Sequence, residues 1–186
     1  MKILTVCGSR NPNGRTARAV GAITAGAVKA GGNVEQVFLT HLGIERCRQC
    51  EDNGWGLCAR EGNCTIGDDF SSVVQKIRSA DIVVFATPVY FSDLSESMRA
   101  FLDRLRRTCY HKAAYQAIQG IPAVGLCVAG GLGGGAPHCC LSLDTVLLTC
   151  GFDVVDMIAV RRQNLKAKLP ILGLVGEWLA TKPTST

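Results

Sequence analysis

Apolar residues fall into short dense blocks separated by longer stretches of mixed polarity. Lys2–Val6, Val34–Leu39, Asp81–Ala86, Ala123–Ala129 and Asp153–Val160 read as strands. Several are apolar at nearly every position, as in strands covered on both faces. Between them, apolar positions recur at helical spacing over Gly14–Ala30, Asp68–Ser79, Leu94–Arg107, His138–Cys150 and Leu165–Thr181. Phe70, Val73, Val74 and Ile77 share one helical face. Gly31-Gly32 and Gly151 supply helix stops. Pro170 is expected to kink the last helix or to mark its true start. The alternation predicts a parallel sheet with right-handed crossovers and helices on both faces. One α/β domain is expected across residues 1–186, broken only by an irregular insertion at residues 41–67.

In such a sheet, ligands bind beyond the carboxyl ends of the strands. Three loops there have unusual sequences. The first is Gly8-Ser-Arg-Asn-Pro-Asn-Gly-Arg-Thr16, which follows a strand and opens a helix. Ser9, Asn11 and Thr16 offer polar groups, Gly14 a tight turn, and Arg10 and Arg15 charge, beside free N–H groups at a helix start. That is a phosphate cradle for a single terminal phosphate. It has neither the Gly-Lys-Ser/Thr of a Walker loop nor the glycine spacing of a dinucleotide fingerprint. The second is Thr87-Pro-Val-Tyr-Phe91, in which Pro88 is expected to fix a turn after the third strand. Tyr90 and Phe91 offer flat surfaces to a planar ring, or close the end of the core. The third, Ala129-Gly-Gly-Leu-Gly-Gly-Gly135, lets backbone approach a ligand or flex.

Composition adds limits. The net charge of +5 is a mild excess that suits an anionic small molecule. Arg104, Arg106 and Arg107 are expected on a solvated helix face; without interleaved aromatics they give no case for nucleic acid. No targeting segment and no apolar run long enough to cross a membrane are visible, so a cytoplasmic location is expected. There the ten cysteines should be thiols or metal ligands. Cys47, Cys50, Cys58 and Cys64 lie in the insertion, in the pattern Cys-x2-Cys-x7-Cys-x5-Cys. Three readings stay open: a [4Fe–4S] cluster, a structural zinc, or four loop thiols. Cys7, Cys109, Cys127, Cys139, Cys140 and Cys150 read as small buried hydrophobes. His41, His111 and His138 are isolated, and no catalytic acid or base is assigned.

The first loop, the run from Asp68 to Phe91, and Met98-Arg-Ala-Phe-Leu-Asp-Arg104 together resemble the NADPH-dependent FMN reductase family, and within it the iron–sulfur flavoprotein-like branch. The match covers most of residues 1–135. It implies a flavodoxin-like fold with strand order 2-1-3-4-5. It implies FMN phosphate held by Ser9, Asn11, Gly14, Arg15 and Thr16, and ring contacts from Pro88, Val89, Tyr90, Phe91, Gly130 and Gly131. Arg15 stands where the family usually has Asn or Ser. The branch has a third cysteine three residues after the second; here Asn53 takes that place and Cys58 follows later. The implied activity is reduction of bound FMN by NADH or NADPH, then electron transfer to a quinone, a flavin or a similar small acceptor. A homodimer or homotetramer is implied too. Two alternatives remain: an electron carrier serving a protein partner, and a zinc-stapled binding module without flavin.

Overall fold

The computed structural model describes residues 1–181; the last five residues of the expected domain lie outside that range. Five parallel strands, β1 (Lys2–Cys7), β2 (Asn33–Phe38), β3 (Ile82–Val89), β4 (Pro122–Ala129) and β5 (Asp153–Arg161), form one sheet in the order 2-1-3-4-5. The helices are α1 (Arg15–Lys29), α2 (Leu57–Arg60), α3 (Phe70–Arg78), α4 (Glu96–Thr108), α5 (Lys112–Gln116), α6 (Ala136–Cys150) and α7 (Leu165–Leu179). A short 3-10 turn, Leu39–His41, ends β2.

Alternation along the strands divides the core. Leu4 and Val6 of β1 and Val83 and Phe85 of β3 pack with α3, α4 and α6. Ile3 and Cys7 of β1 and Ile82, Val84 and Ala86 of β3 pack with α1 and α7. Each such side chain, fully removed from water, contributes about 1.5–3 kcal/mol before chain entropy is counted. The face Phe70, Val73, Val74 and Ile77 is buried as its spacing predicts.

Three expectations are corrected. Pro88 and Val89 do not form a turn but extend β3, opposite Val128 and Ala129 of β4. β1 ends opposite Ala86, so β3 outruns it and becomes edge-like, where a residue without N–H is tolerated. Pro170 does not mark the true start of the last helix, since α7 begins at Leu165 and Pro170 lies inside it. Arg104 is not on a solvated face: its side chain is 1% exposed and paired with Asp68. Aromatic rings also meet this basic cluster, because Arg104 stacks over Phe70 and Arg107 over Trp55. Both rings come from distant sequence, which is why no local interleaving announces them.

Candidate functional site

The carboxyl edge of the sheet carries an open cleft of about 420 Å³. The first loop is built to keep backbone donors free. Asn11 Oδ1 accepts from Asn13 N–H at 2.9 Å, and Gly14 N–H donates to Asn11 O at 3.0 Å, closing a tight turn. Gly14 then caps α1 with no side-chain cap and no acidic residue in the first turn. The first N–H groups of α1 are left to a ligand, at the positive end of the helix dipole. Ser9 and Thr16 are buried in the cradle wall, and Arg15 is exposed at its rim.

The loop is held from below by two serines at the start of α4. Ser95 Oγ and Ser97 Oγ both donate to Gly8 O, at 3.1 and 3.0 Å. Ser95 N–H donates to Thr87 Oγ1 at 3.0 Å, and Ser95 Oγ caps α4. Gly8 is required here by close approach: a Cβ on it would lie 2.6 Å from Ser95 Oγ. Thr40 Oγ1, at the root of the cysteine insertion, donates to Ser9 O at 3.1 Å.

The other two loops close the cleft. Its lining joins Ser9, Asn11, Gly14, Arg15 and Thr16 to Pro88, Val89 and Tyr90, and to Gly130 and Gly131. Arg15 reaches across it: a side chain at Gly130 would meet the Arg15 guanidinium at 3.6 Å. Ten of the twelve sequence-selected residues therefore share one cleft. Arg10 does not; it lines a smaller side pocket with Thr40 and Ser97. Phe91 does not either, and its ring is fully exposed. The cause is a tight turn in which Tyr90 and Asp93 exchange two backbone hydrogen bonds of 2.9 Å, with Phe91 at φ 50° and Ser92 at φ 66°. Left-handed φ at a bulky residue is rare, and it swings the ring outward. Asp93 anchors this turn on Arg99 at 2.5 and 2.6 Å. Burial favours its protonated form, but Leu94 N–H and Arg99 outweigh that and hold the Asp93 carboxyl below its usual range.

Val128, Leu132, Gly133 and Gly134 also line the cleft and were not singled out. The glycine run pointed to the last two. Nothing local marks Val128, which lines the cleft only because β4 ends there.

A second cavity lies at the insertion. Cys47, Cys50, Cys58 and Cys64 all line it, with Arg48, Arg104 and Arg107. The insertion is tied at its neck: Gly43 N–H donates to Asp69 Oδ2 at 2.8 Å, and Glu45 N–H to Asp68 Oδ2 at 2.9 Å. Arg107 Nη1 donates to Gly54 O at 2.7 Å. Among the described residues, no three His, Cys, Asp or Glu side chains come close enough to hold one metal ion. A tetrahedral zinc at about 2.3 Å from each sulfur would draw its four sulfurs to ~3.8 Å from one another. A cubane cluster spreads its four cysteine sulfurs around a larger body. The other six cysteines are buried, as expected of small hydrophobes.

Comparison with known proteins gives the same outline. The family model described as NADPH-dependent FMN reductase matches residues 1–164. An iron–sulfur flavoprotein of Methanocaldococcus jannaschii is 28% identical over 131 residues, covering 70% of this chain and 65% of that protein. An iron–sulfur flavoprotein of Methanosarcina thermophila is 29% identical over 104 residues, covering 56% of this chain and 52% of that one. The matched region thus spans about half to two-thirds of these relatives. In fold, the chain is similar to an NAD(P)H:quinone oxidoreductase from Methanothermobacter marburgensis, with TM-score 0.70, 18% identity and 96% of both chains covered.

Proposed function

The chain belongs to the NADPH-dependent FMN reductase family, and from that premise we propose that it is an FMN-dependent oxidoreductase, reduced by NADH or NADPH, that passes electrons to a small acceptor such as a quinone or a flavin. The observation that carries this reading is the meeting of three loops on one cleft at the uncapped start of α1. The residues fit the group. A phosphate suits the free N–H groups of α1 with Ser9, Thr16 and Arg15 around it. A flat ring suits the apolar wall of Pro88, Val89 and Tyr90 facing the glycine backbone of residues 130–134. Bound FMN supplies the redox chemistry, accepting hydride and releasing electrons. The chain's own part is to bind the phosphate, orient the ring and leave one side of the cleft open to a second substrate. No side chain is assigned a proton-transfer role.

A second reading has its own observation. Four cysteines around one cavity beside three arginines fit a sulfur-bridged iron cluster, which would make the chain an electron carrier to a protein partner. The names of the two archaeal relatives support it. In either case a homodimer or homotetramer is expected, because Ile171, Leu174 and Trp178 of α7 are exposed apolar side chains. No helix of the described residues is long and apolar enough to cross a membrane, and the unpaired cysteines fit a reducing compartment such as the cytoplasm.

The test is a flavin titration of the purified chain, followed by nicotinamide oxidation with a quinone present. One FMN per chain and steady turnover are expected. A protein that leaves FMN fluorescence unchanged at high micromolar concentration overturns the first reading. Bound FMN and iron without nicotinamide turnover selects the second.

A further inference from the structure

The cysteine cavity is lined by arginines as well as by sulfur. Of its three arginines, Arg48 is exposed and pairs with Glu45, and Arg107 is engaged by Gly54 O and the Trp55 ring. Arg104 differs. It is buried, and it is fixed on three sides. Nη1 donates to Asp68 Oδ2 at 2.6 Å and to Glu45 O at 3.0 Å, Nη2 donates to Asp68 Oδ1 at 2.9 Å, and the guanidinium lies 4.2 Å from the Phe70 ring centre. Its Nε–H is also buried yet has no acceptor among the described residues. Burial works against the charge, but Asp68, then the nearby Cys64 sulfur, outweigh it and hold the guanidinium firmly protonated. Cys64 does not complete a hydrogen bond with Nε.

A buried donor without a partner is costly and asks for an acceptor that the chain itself does not provide. The cavity in front of it is ringed by four thiols. The acceptor that fits is anionic and rich in sulfur. The geometry points to Arg104 as the positioning residue of a sulfur-bridged iron cluster held by Cys47, Cys50, Cys58 and Cys64, its Nε–H donating to a cysteine or bridging sulfur. This rests on the second reading above. The hydrogen bond also sets the potential, because donors to cluster sulfurs and nearby positive charge raise it. Asp68 and Phe70 hold the guanidinium in place at the cavity wall.

The experiment starts from anaerobic reconstitution of the full chain with iron and sulfide, as wild type and as Arg104→Lys. Iron content and the midpoint potential, followed by EPR, are read on both. The expected result is about four irons per chain in each, with the variant's potential shifted to more negative values. No iron uptake by the wild type overturns the cluster reading and the role of Arg104 with it. Iron uptake with equal potentials overturns the role of Arg104 alone and leaves the cluster reading standing. If Arg104→Lys fails to fold, the wild type answers by itself. Grown with 15N-guanidino arginine and reduced, it should show a weak 15N coupling to the cluster in pulsed EPR, retained in Arg107→Lys. Absence of that coupling overturns the proposal.

Discussion

The cleft at the sheet edge and the cavity at the insertion are built on opposite plans. The cleft is made of backbone: a helix start without a cap, a glycine run, and the end of a strand. Its polar side chains mostly hold the loops in place. The cavity is lined mostly by side chains, four cysteines and three arginines among them, where α4 meets a segment with little regular structure of its own. The fold offers the first site wherever parallel strands end. The second is held from outside by Asp68 and Asp69, just before α3, and by Arg104 and Arg107 of α4. A cleft of backbone should therefore fail through crowding, and a cavity of side chains through loss of a partner.

The largest effect is expected at Asp68. Asp68→Asn leaves Arg104 buried without its counter-charge, a loss of about 3 kcal/mol, read as a lower urea midpoint. FMN affinity of the folded fraction should stay within about twofold, since Asp68 does not line the cleft. A large loss of FMN binding would mean the two regions are one unit. The same pair predicts an acid limit. Burial raises the Asp68 pKa, but Arg104 and the N–H groups of Glu45 and Phe70 outweigh it, so the folded value lies below the usual one. Its stabilisation is then complete above the ordinary Asp range and fades as pH drops below about 4. Asp68→Asn should flatten that acid slope, measured by thermal melts across pH.

Next comes Gly8→Val, which drives methyl groups into Ser95 Oγ and Met98. Overpacking of this kind costs about 1–3 kcal/mol. FMN titration should weaken steeply while iron uptake by the cysteine loop is kept. Smaller again is Arg15→Ala, with FMN binding about tenfold weaker, or ~1.4 kcal/mol. Riboflavin, which has no phosphate, should bind as before; an equal loss for both ligands would place Arg15 against the ring instead. Smallest is Arg106→Ala. Its pair with Asp103 is solvent-exposed, and the melting curve should move by less than about 0.5 kcal/mol allows.

How much the sequence disclosed follows the same division. The strands were legible because burial on both faces leaves an apolar block, as in Asp81–Ala86, whereas their order in the sheet came from the family resemblance. The first loop's place in the cleft was legible because its pattern is local: Ser9, Asn11, Gly14 and Thr16 lie within eight residues of chain. Arg104 was misread as a solvated residue, since its partner is 36 positions away and no spacing rule reaches that far. Phe91 was misplaced because its outward swing comes from φ 50° inside a turn that uses neither Asn nor Gly. Pro88 was read as a breaker, although the strand beside it had already ended.

The neck of the insertion has a consequence for how this chain tolerates change. Gly43 and Glu45 are bonded across to Asp69 and Asp68, and Arg104 adds a third tie to Glu45 O. The ends of residues 46–67 are thus pinned together before the loop begins. For a loop pinned at its ends, doubling the length costs only about 0.6 kcal/mol in closure entropy. The segment behaves as a cartridge in a socket. Its cysteine spacing can lengthen, shorten or vanish, and the sheet edge beside it keeps the same shape.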